Sequence, residues 1–276
     1  MLSKLIGYEF KSTRRIFLPA YGVMLILSLL NAIVLALPNS IINSIEMPFG
    51  ILMTIYILSI FTVYILSFAY MVHRFNTNLL GDEGYLMFTL PTNPSQLIWS
   101  KCITSTIWMC LTILLCGVSL FLLFLPLGIT GLIQNGNIDL SFFFYHVHYL
   151  FSEFIKEFGI NTLFIPLELL AIGIIGTMNF CMHVYACLSV GSLSNKYRLG
   201  FAFLAYLGFA VIKQIIFVSL MSIMDIIAPT FQFTLSLDAF ANMHIFLIGY
   251  LIYTIISLVV NYVITNYILS KHLNLQ

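Results

Sequence analysis

Residues 79–101 read Leu-Leu-Gly-Asp-Glu-Gly-Tyr-Leu-Met-Phe-Thr-Leu-Pro-Thr-Asn-Pro-Ser-Gln-Leu-Ile-Trp-Ser-Lys, a polar, punctuated island between two long apolar runs. Gly81 and Gly84 bracket Asp82 and Glu83. Acids at a helix start complement the positive end of its dipole. Tyr85, Leu86, Met87, Phe88 and Leu90 follow and predict a short helix with an apolar, aromatic surface, which Pro91 stops. Asn93-Pro94-Ser95-Gln96 predicts a fresh helix start, with Asn93 as N-cap, Pro94 at the first helical position and Gln96 reaching back. Trp99 and Lys101 then fall where an interface anchor belongs. An aromatic patch on a polar loop marks either a surface for another protein or an interfacial hairpin.

The island stands out because the rest of the chain is so apolar. Of 276 residues, 61% are hydrophobic and 8% are charged, against about a quarter charged in ordinary globular proteins. Water does not solvate such a surface, so lipid is the expected solvent. A net charge of +1 argues against a nucleic-acid partner.

Six runs are long enough to span a hydrocarbon core of about 30 Å, which takes about 20 helical residues. They lie near Ile16–Leu37, Pro48–Val72, Cys102–Ile129, Thr162–Val190, Phe201–Met224 and Ile245–Leu269. The predicted fold is therefore an all-α membrane protein, a single six-span domain covering 1–276. The first run exceeds the length of a signal-peptide core and is read as a retained span. Nine of the eleven basic residues (Lys4, Lys11, Arg14, Arg15, Arg74, Lys101, Lys196, Arg198 and Lys271) fall on one side of this arrangement. The positive-inside rule then places both termini in the cytoplasm. The five cysteines lie in or at the ends of spans, in no disulfide or zinc spacing.

Residues 1–15 predict an interfacial helix. On a helical wheel Lys4, Lys11 and Arg15 cluster on one edge with Arg14 nearby, opposite Leu2, Leu5, Ile6 and Phe10. Glu9 breaks the pattern amid the apolar face. It either snorkels to water or meets the loop or a partner beneath, through Arg74. Pro19 is where a turn into the first span is expected.

Inside the spans, Lys213 is the sharpest feature, because an unpaired lysine at mid-membrane costs on the order of 3 kcal/mol. Glu168 lies at a similar depth when counted from the opposite edge, which predicts a Glu168–Lys213 ion pair. Asn179 and His183 share a face of the fourth run with Glu168. Tyr250, Thr254, Ser257, Asn261 and Thr265 form a narrow stripe on the sixth run, read as helix-packing glue or as pathway lining.

Outside, Leu140, Phe144, Val147, Phe151, Phe154 and Phe158 recur at helical spacing and predict an amphipathic surface helix. His146 and His148 lack a third ligand, so no metal is assigned. The 225–244 segment reads as re-entrant helices or as a surface hairpin.

The 81–91 segment with Leu97-Ile-Trp-Ser-Lys101, and the opening Lys4–Phe17 with Tyr8-Glu-Phe-Lys11, resemble ABC-2 type transporter permeases of Gram-positive bacteria. The resemblance implies a cytoplasmic coupling helix between spans 2 and 3. Asp82, Glu83, Tyr85, Leu86, Phe88 and Leu90 would dock on a separate ATPase. It also implies a second permease copy or paralogue, a bacterial plasma membrane, and export of an amphiphilic peptide, antibiotic or lipid-like cargo. The chain carries no G-x-x-x-x-G-K-[ST] loop, so it is not expected to be an enzyme. ATP and magnesium would be held by the partner. The alternative is a proton-coupled secondary transporter using Glu168, His183 and Lys213.

Overall fold

A computed structural model describes residues 2–37, 41, 44–81, 93–132, 145, 148–149, 152–153, 155–156, 159, 161–194, 197–235 and 239–271, with backbone alone at 127–132, 224–235 and 239–242. Among the described residues the long elements are all helices: α1 (Leu2–Leu35), α2 (Glu46–Phe75), α3 (Pro94–Leu132), α4 (Asn161–Gly191), α5 (Arg198–Leu235) and α6 (Ala239–Lys271). Each contains a stretch long and apolar enough to cross a membrane. A helix is the single-segment solution in lipid because it satisfies every backbone N–H and C=O internally. Leu, Ile and Phe side chains are exposed along the flanks, as at Phe61, Phe121, Leu170 and Ile215. These are the surfaces lipid would solvate.

Two boundaries differ from the sequence reading and a third matches it. The 1–15 segment and the first span are one helix that runs through Pro19 without interruption. Pro19 removes a single backbone donor, and the rest of the ladder carries the helix across it. At the other end of the chain, α5 continues to Leu235 and α6 begins at Ala239, so most of the 225–244 connection is helical. The helix α3 starts at Pro94, as the Asn93-Pro94 signal predicts, and the Gln96 amide donates to the Asn93 carbonyl at 2.9 Å.

The chain divides into two compact units. One comprises Gly7–Tyr70 and Ile107–Thr162. Its core is Phe17, Tyr21 and Met24 of α1, Val63 of α2 and Trp108 of α3. Trp108 stacks on Phe17 with ring centres 4.6 Å apart, and its indole N–H donates to Thr13 Oγ1 at 2.7 Å. Tyr21 shares a 2.7 Å bond with Thr112, which bonds Ser67 at 2.9 Å. Ser28 donates to the Ser119 carbonyl, and the Ser119 hydroxyl meets Tyr56 at 3.1 Å. Small hydroxyls thus join the three helices where apolar burial supplies no drive, as expected in lipid.

The other unit comprises Met1–Ile6, Met71–Thr106 and Leu163–Gln276. It holds the end of α2, the start of α3, and α4 to α6. Past Phe75 the α2 helix widens into a π-helical turn, Asn76–Leu80, whose Leu79 and Leu80 are buried. Gly191 closes α4 against the start of α5. A Cβ there would lie 2.5 Å from the Arg198 carbonyl and 2.6 Å from the Ala202 Cβ, so glycine is required by close approach.

The outer segment is described only in part. Gly159 takes φ +55°, and its backbone amide donates to the Ile155 carbonyl at 2.8 Å. Leu140, Phe144, Val147, Phe151, Phe154 and Phe158 lie outside the described residues.

Candidate functional site

The site lies in the second of these units, where α4, α5 and α6 bring their polar side chains together. On α4, Asn179, His183 and Cys187 follow at intervals of four and so share a face. The Lys213 ammonium of α5 sits 3.0 Å from His183 Nδ1. An ammonium has only donors, so Nδ1 accepts and the ring hydrogen is assigned to Nε2. Nε2 faces the Cys187 sulfur at 4.0 Å. Tyr206 and Phe209 of α5 flank the imidazole, with ring centres at 5.2 and 6.2 Å. From α6, Tyr253 donates its hydroxyl to the Lys213 carbonyl at 3.1 Å, and the Asn261 amide donates to Asn179 Oδ1 at 2.9 Å. Lys213, His183, Asn179, Tyr253 and Asn261 therefore each reach a partner on another helix.

The expected Glu168–Lys213 pair does not form. The Glu168 carboxylate instead receives His244 Nδ1, 2.9 Å from each oxygen. Among the described residues no carboxylate pairs with Lys213; its partner is His183. The physical reason is helix length. Glu168 and His183 are fifteen residues apart on α4, about 22 Å along the axis. Counting depths from opposite edges assumed spans of equal height, whereas α4 has 31 residues, about 46 Å. His244 was overlooked because the sixth run was started at Ile245, whereas α6 begins at Ala239.

The polar stripe on α6 turns inward: Thr254, Ser257, Asn261 and Thr265 are buried. That favours helix packing for most of it. Ser257 and Asn261, however, also line a groove between α5 and α6.

The loop expected to carry the partner contact, with Asp82, Glu83, Tyr85, Leu86, Phe88 and Leu90, lies outside the described residues. Both of its flanks are described, and both engage Tyr185 of α4. Before the loop, Phe75 stacks on the Tyr185 ring at 4.0 Å and 9°. After the loop, the Tyr185 hydroxyl meets Ser105 at 2.7 Å and the Lys101 carbonyl at 3.4 Å. Arg198 of α5 donates to the Leu80 carbonyl at 3.3 Å, fixing the π-helical turn. Lys101, expected as an interface anchor, is only 3% exposed. Trp99 packs on Tyr262 at 5.3 Å. Tyr185 carried no pattern in the sequence that would have singled it out, since its partners are remote along the chain.

On α1, Lys4, Lys11, Arg14 and Arg15 are exposed, in keeping with a basic edge. Glu9 is 8% exposed, so it does not snorkel to water, and its backbone carbonyl accepts from Thr13 Oγ1 at 2.9 Å. All five cysteines are free thiols, and no metal-binding group of His, Cys, Asp or Glu occurs among the described residues.

Six membrane-length apolar helices, with charged and amide side chains paired between them, define a multi-pass membrane protein. No protein-family model matches the chain, and neither does any curated protein or solved structure.

Proposed function

We propose that this chain is the permease subunit of an ATP-driven ABC exporter, paired with a second permease copy or paralogue. A separate subunit would bind and hydrolyse ATP with magnesium. Asp82, Glu83, Tyr85, Leu86, Phe88 and Leu90 would receive its movement. The supporting observation is Tyr185. It contacts the residues on both sides of that loop, Phe75 ahead of it and Ser105 behind it. It also lies on α4, the helix that carries His183 and hence Lys213. A push on the loop's flanks is thereby a push on α4. π-helical turns such as Asn76–Leu80 recur at functional sites. The positive-inside distribution supports a cytoplasmic loop.

The test is capture of the ATPase subunit by the purified permease. Changing Tyr85 and Phe88 to alanine together should abolish capture while the permease stays folded. Capture at wild-type strength would overturn the assignment.

A second reading, a proton-coupled transporter, is favoured by two titratable pairs within the spans, Glu168–His244 and His183–Lys213. Transport into vesicles driven by a pH gradient, with no ATP present, would select it.

A further inference from the structure

We propose that the α5–α6 groove binds a single-chain anionic amphiphile, a fatty-acid-like carboxylate, with its head on Lys213 and its chain along the two helices.

The groove encloses about 570 Å³, within the roughly 300–1,000 Å³ typical of ligand pockets. Its walls are apolar, including Ile216, Ile256 and Val260. These three are also exposed, so the groove is open along the helix flank, where a hydrocarbon chain would enter from lipid. Its polar lining comes from Lys213, Tyr253, Ser257 and Asn261, with no carboxylate among them, and the Tyr253 hydroxyl is already spent on the Lys213 carbonyl. The lining is therefore charge-complementary to an anion and to nothing cationic.

Two observations indicate a built site rather than a gap between helices. First, Lys213 uses one donor on His183 and keeps two more. Its ammonium lies deep in a span with no carboxylate partner among the described residues. Second, Ser257 is only 8% exposed, and its hydroxyl has no hydrogen-bond partner, although it lines the groove. A buried unsatisfied hydroxyl is destabilising unless something completes it. A carboxylate supplies acceptors for both the ammonium and the hydroxyl.

Depth selects the class of anion. Lys213 is fifteen residues from Arg198 and ten from Ile223, the ends of the apolar part of α5, so about 22 and 15 Å from them along the axis. A bilayer phospholipid keeps its phosphate at the interface and carries two chains. A single-chain acid can place its small head at this depth. As a binding site the proposal stands on geometry alone; as the exporter's cargo it rests on the permease reading above.

The test measures palmitate binding to the purified full chain in neutral phosphatidylcholine nanodiscs, with no ATPase and no nucleotide. Saturable binding is expected in the wild type, weakened at least tenfold by Lys213→Met and restored by Lys213→Arg. Gly249→Leu, which fills the groove without altering Lys213, should weaken it likewise. Palmitate methyl ester, of equal chain length but uncharged, should bind no better to wild type than to Lys213→Met. Equal palmitate retention by wild type and Gly249→Leu would overturn the proposal. So would phosphatidylglycerol displacing palmitate at equal concentration, which would make the groove a bilayer-lipid site. The Tyr85/Phe88 double variant should bind palmitate normally, so failure of ATPase coupling and failure of this site are separately visible.

Discussion

The aromatic rings of Phe75 and Tyr185 lie 4.0 Å apart and within 9° of parallel. One belongs to the last turn of α2 and the other to the C-terminal half of α4. Both are almost completely buried. The stack packs the end of α2, where it passes into the π-helical turn, against α4. Phe75→Ala should cost about 3–5 kcal/mol through cavity formation. Tyr185→Phe keeps the ring and removes only the hydroxyl's bonds to Ser105 and the Lys101 carbonyl, so it should cost about 1 kcal/mol. Detergent-resistant unfolding monitored by helical circular dichroism separates the two.

The replacement of the expected ion pair is testable by double-mutant cycles. Glu168→Gln and His244→Phe should couple by about 0.5–3 kcal/mol. Glu168→Gln and Lys213→Met should add without coupling, because their side chains have different partners. Coupling between the second pair would contradict the geometry described here.

The Asn261–Asn179 side-chain hydrogen bond joins α6 to α4 between two membrane-length helices. Interhelical bonds of this kind contribute about 0.6 kcal/mol on average and up to ~1.7. Asn261→Leu should therefore destabilise mildly, and Asn179→Leu added to it should do little more. Full additivity in an SDS titration would indicate that the two side chains act separately.

Gly191→Ala should be among the most damaging single changes outside the aromatic core. Its Cβ would meet backbone, the Arg198 carbonyl at 2.5 Å and the Ala202 nitrogen at 2.8 Å, and these atoms cannot rotate away. Overpacking of this kind costs about 1–3 kcal/mol. By contrast Gly208→Ala, with nothing within 4 Å of the added Cβ, should be neutral or slightly stabilising. Equal melting temperatures for the two variants would refute the argument.

In the other unit, Trp108→Phe should retain the stack on Phe17 but lose the N–H bond to Thr13, a loss of about 1 kcal/mol. Thr13→Val alone should produce a similar effect, and the two together should not sum. Thermal unfolding in micelles is the measurement.

Much of the architecture was legible because its cause is local. Twenty apolar residues in a row need no distant information to become a helix in lipid. The helix start at Pro94 was likewise written into Asn93-Pro94. Helix ends were harder to place. Pro19 was expected to turn the chain, yet α1 passes through it, since one lost bond does not offset the many on either side. His244 falls in the segment read as re-entrant helices or a surface hairpin, whereas it already belongs to α6.

Composition and periodicity alone established the lipid-facing class, the six spans and the short list of polar residues that had to be accounted for inside them: Glu168, Asn179, His183, Lys213 and Asn261. Which of those residues meet depended on how the helices slide and rotate against one another. A shift of one turn, about 5.4 Å, is enough to exchange one partner for another. Helix height, tilt and register come from the summed packing of many side chains. No window of the sequence contains that sum, so Lys213 found His183 and Glu168 found His244.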